Sequence, residues 1–196
     1  LLDTTRYGLA PEPTVQQSIN AGVELSFFSG DKLIGGPQAG IIAGNAEWVD
    51  RLGRHPLARA VRIDKMGLAA LSATLTSFLK EEAHEEIPVW QMISMSVDTI
   101  TETAEGWLEE IDSRAVSLRE GQSTVGGGSL PGETLTTTLL AVTPPDSPDA
   151  FARRLRSGPT PVIARIEDEV VVLDPRTVLD GQSAIVVEAV KLALKA

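Results

Sequence analysis

Cysteine is absent from this chain of 196 residues. Disulfides, thiolate nucleophiles and thiolate metal sites are thereby excluded. Histidine is nearly absent, with only His55 and His84. His55 precedes Pro56 in a basic stretch, and His84 sits in Glu81-Glu82-Ala83-His84-Glu85-Glu86, the pattern of a solvated acidic helix end. A zinc site needs ligands converging on one face, so no metal is expected. No G-x-S-x-G occurs, which argues against a Ser-His-Asp hydrolase. No apolar run approaches the ~18 residues of a membrane span. The first residues, Leu1 to Arg6, have neither the basic start nor the apolar core of a secretory signal, so the cytoplasm is the expected compartment. Basic charge is also in deficit. A net charge of −10 repels nucleic acid at long range unless a local patch overrides it.

What is present fits an ordinary folded chain. A content of 42% hydrophobic and 22% charged residues argues against disorder, and the length suits one large domain or two small ones. One basic patch stands out against the acidic remainder: Arg51, Arg54, His55, Arg59, Arg62 and Lys65. Guanidinium forks of this kind match oxyanions bidentately.

The stretch with the most chemistry is Ser29-Gly30-Asp31-Lys32-Leu33-Ile34-Gly35-Gly36-Pro37-Gln38-Ala39-Gly40. An apolar run, Val23 to Phe28, leads into it, and Gly40-Ile41-Ile42-Ala43-Gly44 leads out. One amine held in a glycine-rich turn at a strand end is the layout of a covalent amine catalyst. The same residues also suit a hairpin turn whose lysine points into water.

Along the chain, residues 1–10 read as a strand end and loop. Thr14 caps a short helix over 15–21, and the poorly alternating run 23–28 reads as a strand covered on both faces. Asn45 caps a helix ending near Gly53, and residues 54–62 form a basic connector. A helix over 64–82 follows, with Met66, Ala69, Ala70, Ala73, Leu75, Phe78 and Leu79 as its inward stripe. A further helix over 96–112 turns Val97, Ile100, Ala104, Trp107, Leu108 and Ile111 inward. Residues 115–118 and 135–142 read as strands, the second half-buried because Thr alternates with apolar residues. Between them lies a glycine loop, Val125 to Gly132. A helix from Ser147 or Asp149 to about Arg156, a hairpin of 162–166 and 169–173 joined at Glu167-Asp168, and a helix over 184–194 close the chain. The expected organisation is α/β: 1–64 as the closing strands of a doubly wound sheet, 65–82 as a bridging helix, and 83–196 as a small α+β domain.

The lysine turn resembles the signature of the bacterial L-seryl-tRNA(Sec) selenium transferases, which are fold-type-I pyridoxal-phosphate enzymes. Further stretches agree in the same order: Tyr7-Gly8-Leu9, Glu12-Pro13-Thr14-Val15, His55-Pro56-Leu57-Ala58-Arg59-Ala60, Asp64-Lys65-Met66, Gly126-Gly127-Gly128-Ser129-Leu130-Pro131, Pro161-Val162-Ile163-Ala164-Arg165-Ile166 and Leu173-Asp174-Pro175-Arg176. The resemblance covers essentially the whole chain. It implies a C-terminal portion: 1–64 from the large cofactor-binding domain and 83–196 as the small domain. The tRNA-gripping N-terminal part and a D-x-G-S-G motif, whose Asp pairs with the pyridine nitrogen, are expected upstream of Leu1. Asp3 is not that residue.

The resemblance further implies conversion of seryl-tRNA(Sec) to selenocysteinyl-tRNA(Sec) with selenophosphate, through a dehydroalanyl (aminoacrylate) intermediate. Lys32 would form the Schiff base with pyridoxal 5'-phosphate and carry protons. A cationic neighbourhood and partial desolvation would depress its pKa. Asp31 would orient that amine or relay a proton; as a plain turn-former it would instead bond its own backbone. Ser29 and Gly30 would reach the cofactor phosphate by hydroxyl and backbone amide. Arg59 and Arg62, at i and i+3, would grip the selenophosphate anion, or form only a solvated connector. The loop Gly126–Gly128 lacks a Lys-Ser/Thr partner and reads as a structural turn rather than a phosphate cradle. Sites at a dimer interface of a homo-oligomer are implied as well. Three alternatives stay open: a related pyridoxal lyase on a small amino acid or amino-sugar acid, a non-catalytic oligomerisation fragment, and a nucleotide-binding domain.

Overall fold

A computed structural model describes residues 1–126 and 128–195. The chain divides into two compact units, one of Leu1–Ser94 with Val125–Glu133, the other of Met95–Thr124 with the residues from Thr134 onward. The helix expected as a bridge is thus an element inside the first unit.

The first unit opens with a 3-10 turn, Thr4–Tyr7, where a strand end is expected. Asp3 caps it by accepting from the Thr5 amide at 3.0 Å. Helix α1 (Val15–Asn20) carries a full capping box, Thr14 with Gln17. Strands β1 (Leu25–Ser29) and β2 (Gly40–Gly44) pair antiparallel, from Leu25 opposite Gly44 to Ser29 opposite Gly40. The strands expected to close a doubly wound sheet form an antiparallel ribbon within this chain. The connection between the strands, 30–39, is too short for the crossover of a dozen or more residues that a parallel pair needs. Nor is β1 covered on both faces, because Phe27 is 66% exposed.

Helices α2 (Ala46–Gly53), α3 (Pro56–Ala60) and α4 (Lys65–Leu79) follow. Part of the expected basic connector is therefore helix α3, started by His55 as cap and Pro56 at its first position. The expected stripe on α4 is not its buried face. Leu71 and Ser77 are buried, whereas Met66 and Leu79 are 80% and 85% exposed. A helix apolar almost all round gives no moment with which to choose a face. Two short helices, α5 (Ala83–Glu86) and α6 (Pro88–Ser94), complete the unit.

The second unit stacks α7 (Val97–Ile111), α8 (Pro148–Ser157) and α9 (Ser183–Lys195) on an antiparallel sheet. Its strands are β3 (Val116–Thr124), β4 (Thr134–Val142), β5 (Arg165–Glu167) and β6 (Val170–Leu173), ordered β3-β4-β6-β5. Leu140, Val142, Val171 and Leu173 join Trp107, Phe151 and Val187 in one core. Leu139, Ala141 and Val172 lie on the other face and are buried too, so the far half of β4 is covered on both sides rather than half-buried. On α7, Val97 is 42% exposed rather than inward, because it stands at the first position of the helix. The β5–β6 turn is Asp168-Glu169, both with positive φ (50° and 62°), one residue later than expected. Positive φ at both central residues is the demand of a type I′ turn.

A polar knot ties this unit together. The Asp174 carboxylate accepts from Ser123 Oγ at 2.6 Å and Thr137 Oγ1 at 2.8 Å. Arg176 donates to Ser123 Oγ at 3.1 Å, the Met95 carbonyl at 3.1 Å and the Thr136 carbonyl at 2.7 Å. Burial pushes the Arg176 guanidinium down from its ordinary range, and the charge of Asp174 pulls it back up. The Leu173-Asp174-Pro175-Arg176 stretch therefore has a structural job.

Gly106 lies exposed in the middle of α7, with no atom within 4 Å of where a Cβ would stand. Gly106→Ala should stabilise the second unit by about 0.5–1 kcal/mol through backbone entropy and helix propensity. Thermal unfolding checks this, and an unchanged or lowered midpoint contradicts it.

Candidate active site

The lysine turn between β1 and β2 is fixed by its own backbone. Gly30 N donates to the Ala39 carbonyl, Gly35 N to the Lys32 carbonyl and Gly36 N to the Gly30 carbonyl, each at 2.8 Å. Gly35 has φ +73°, and a Cβ there would fall 2.3 Å from Ile87 Cγ2, so both conformation and space require glycine. From α6, Trp90 donates its indole N–H to the Leu33 carbonyl at 2.6 Å. Trp90 is 1% exposed and stacks at a tilt on Tyr7, 5.6 Å between centroids. Nothing in the sequence pattern marks Trp90 as the residue that holds the turn, since its target is a backbone carbonyl 57 positions away.

Lys32 Nζ lies 3.3 Å from Asp31 Oδ2, with the side chains 49% and 31% exposed. An ion pair this open contributes little stability. Of the neighbourhood expected around Lys32, partial desolvation is present, the side chain being half exposed, while the charge it touches is a carboxylate rather than a cation. The amine borders a cavity of about 290 Å³, shared with Thr14, Phe28, Ser29, Trp90 and Ser129. That volume is near the lower bound for small-molecule sites. Ser29 lines this cavity. The Gly30 amide does not, because it is committed to Ala39 inside the turn and the residue is buried. Asp3 is likewise committed to its cap, and the Thr5 hydroxyl and amide hold its carboxyl below the usual range.

Of the basic patch, Arg51 lies over the Trp48 ring at 5.3 Å. Arg54, Arg59, Arg62 and Lys65 are exposed, and none is in an ion pair among the described residues. Arg59 closes α3, and Arg62 lies past its end. Arg62 lines a second cavity, about 940 Å³, with His55, Leu57, Val61 and Asp64. There the amides of Gly67 and Met66 hold the Asp64 carboxyl below its usual range. Within one chain, then, Ser29, Asp31 and Lys32 come together, while Arg62 lines a different cavity. Of the glycine loop, Gly128 borders the lysine cavity, and Gly127 lies outside the described residues.

Known proteins resemble this chain along its length. A family model described as L-seryl-tRNA selenium transferase matches residues 1–179. The L-seryl-tRNA(Sec) selenium transferase of Alkaliphilus metalliredigens is 43% identical over 201 residues, covering 100% of this chain and 43% of the relative. That of Desulfomicrobium baculatum is 44% identical over 202 residues, covering 99% and 43%. The chain thus spans less than half the length of these curated relatives. Among solved structures, D-glucosaminate-6-phosphate ammonia-lyase shares the fold with a TM-score of 0.59 at 19% identity, over 90% of this chain and 45% of the other.

Proposed function

The chain belongs to the L-seryl-tRNA selenium transferase family, and from that premise we propose that it carries the amine-bearing part of a pyridoxal 5'-phosphate site. There a seryl group carried on tRNA(Sec) exchanges its hydroxyl for selenium from selenophosphate. The observation that carries this reading is Lys32, a single amine on a hydrogen-bonded turn at a cavity wall, aimed by a carboxylate 3.3 Å away.

The residues present fit the cofactor. Pyridoxal phosphate, when bound, supplies a carbonyl that condenses with an amine and a ring that takes up electrons. Lys32 would hold it covalently, and the Ser29 hydroxyl would meet its phosphate. Asp31 would keep the amine oriented and accept a proton from Nζ. Phe28 and Trp90 would exclude water from one side of the cavity. Arg59 and Arg62, exposed and without acidic partners among the described residues, are suited to hold the selenium-donor anion. Because Lys32 and Arg62 line different cavities of one chain, the amine of one subunit would work with the arginines of another. That arrangement is the dimer-interface site of a homo-oligomer. In this reading the first unit, with 1–64, belongs to the large cofactor domain, and the second unit forms the body of the small domain. Most contacts to tRNA would lie outside the matched region, and the enzyme would act in the cytoplasm.

Incubation with pyridoxal phosphate should give a borohydride-trappable adduct on Lys32, lost in Lys32→Ala. A wild-type chain without any lysine-dependent adduct rejects the proposal. Affinity for selenophosphate, or thiosulfate as its stand-in, should fall about tenfold or more in the Arg59→Ala, Arg62→Ala double variant. Unchanged affinity would remove the arginines from the site.

A further inference from the structure

The nine residues Val125–Glu133 join β3 to β4 and belong to the first unit, with the lysine turn. Their described glycines are there for different reasons. Gly126 and Gly132 have φ +143° and +84°, conformations that L side chains rarely adopt, and open space where a Cβ would stand. Gly128 is the reverse. Among the described residues it is not one of the left-handed glycines. What a side chain would meet there is the Lys32 stem: a Cβ at 128 would lie 3.0 Å from Lys32 Cε, 3.1 Å from Cδ and 3.5 Å from Nζ.

The tip is held in place. The Ala10 amide donates to the Glu133 carboxylate at 2.8 Å. Glu133 N donates to the Leu130 carbonyl at 3.0 Å, and Val125 N to the Glu133 carbonyl at 3.4 Å. Leu130 is 8% exposed and has φ +48°. A left-handed leucine persists only where its surroundings over-determine it.

We propose that this tip is a stop for the Lys32 side chain, with Gly128 as a positioning residue that sets where the amine stands. The proposal rests on the reading of Lys32 as the cofactor-binding lysine. A lysine stem is flexible and samples many rotamers. Gly128 closes off one side of it and Asp31 holds its end, which leaves the amine few places to be. A methyl group at 128 meets the movable end of Lys32 rather than backbone, so it displaces the amine without straining the fold.

The test compares wild type, Gly128→Ala and Glu133→Ala in two assays. The first is the equilibrium constant for the borohydride-trappable adduct of Lys32 with pyridoxal phosphate. The second is the rate at which trinitrobenzenesulfonate labels Lys32, read by peptide mass spectrometry against Lys80 of the same molecule. Gly128→Ala should weaken the adduct about three- to tenfold, the effect of pushing one side chain off its rotamer, while thermal unfolding stays at the wild-type temperature. Glu133→Ala should free the tip and raise the Lys32:Lys80 labelling ratio about threefold or more. A folded Gly128→Ala chain with wild-type adduct constant and wild-type labelling ratio overturns the proposal, whatever Glu133→Ala does. A wild-type chain that forms no adduct overturns the cofactor reading instead, and the labelling ratio of Gly128→Ala then decides the tip's role alone.

Discussion

Replacing Arg176 with methionine should lower the stability of the second unit by about 3–5 kcal/mol, the usual cost of removing one partner from a buried charge network. Arg176 is 4% exposed and Asp174 6%. The two are linked through Ser123 Oγ, which accepts from Arg176 Nε and donates to Asp174 Oδ2. Methionine matches the stem but donates nothing. The Met95 and Thr136 carbonyls then lose a donor each, and the buried carboxylate loses the nearby charge of Arg176, keeping only Arg165 at 3.9 Å among the described ion pairs. Urea unfolding followed by circular dichroism should show the midpoint falling by more than about 1 M. Ser123→Ala removes only the relay and should cost less, about 1–3 kcal/mol. A loss below about 1 kcal/mol in Arg176→Met would mean that the knot is not a stabilising element.

Trp90→Ala should destabilise the first unit by about 3–5 kcal/mol, the range for deleting a buried large aromatic. It should also release the lysine turn. The ring fills space beside Tyr7, and its N–H satisfies the Leu33 carbonyl one residue after Lys32. Trp90→Phe separates the two roles. It keeps an aromatic ring but leaves Leu33 without that donor, at a cost of about 1–3 kcal/mol. Formation of the Lys32 adduct should weaken in Trp90→Phe even where the unit stays folded. Wild-type stability and wild-type adduct formation in Trp90→Phe would show that the hydrogen bond to Leu33 does not govern the amine.

Much of the local structure is legible in the residues. Thr14, Asn45, Asp64, Ser96 and Ser147 each cap a helix near where expected, because a short polar side chain before an apolar run has few other roles. The lysine turn is visible as glycines between two β-rich runs. What misleads is burial. The pattern of α4 offers several apolar faces, and which one is covered depends on neighbours distant in sequence. The strand 23–28 looks doubly covered because Val, Leu and Phe promise it, yet within this chain β1 has one partner strand and Phe27 stands 66% exposed. Helix α3 escapes notice because its cap is a histidine, an uncommon choice for that position.

The sequence by itself determined the chemistry on offer: no thiol, one amine in a glycine turn beside a carboxylate, and a cluster of guanidinium groups in an acidic chain. Those properties belong to residue types and short spacings, which survive without a fold. Only the tertiary structure decided which groups meet. It committed the Gly30 amide to the turn, put Trp90 behind Leu33, laid Gly128 against the Lys32 stem and buried Asp174 with Arg176. Most of these join residues separated by a turn or by many tens of positions. Such contacts arise from how elements pack, and no local pattern of side chains encodes them.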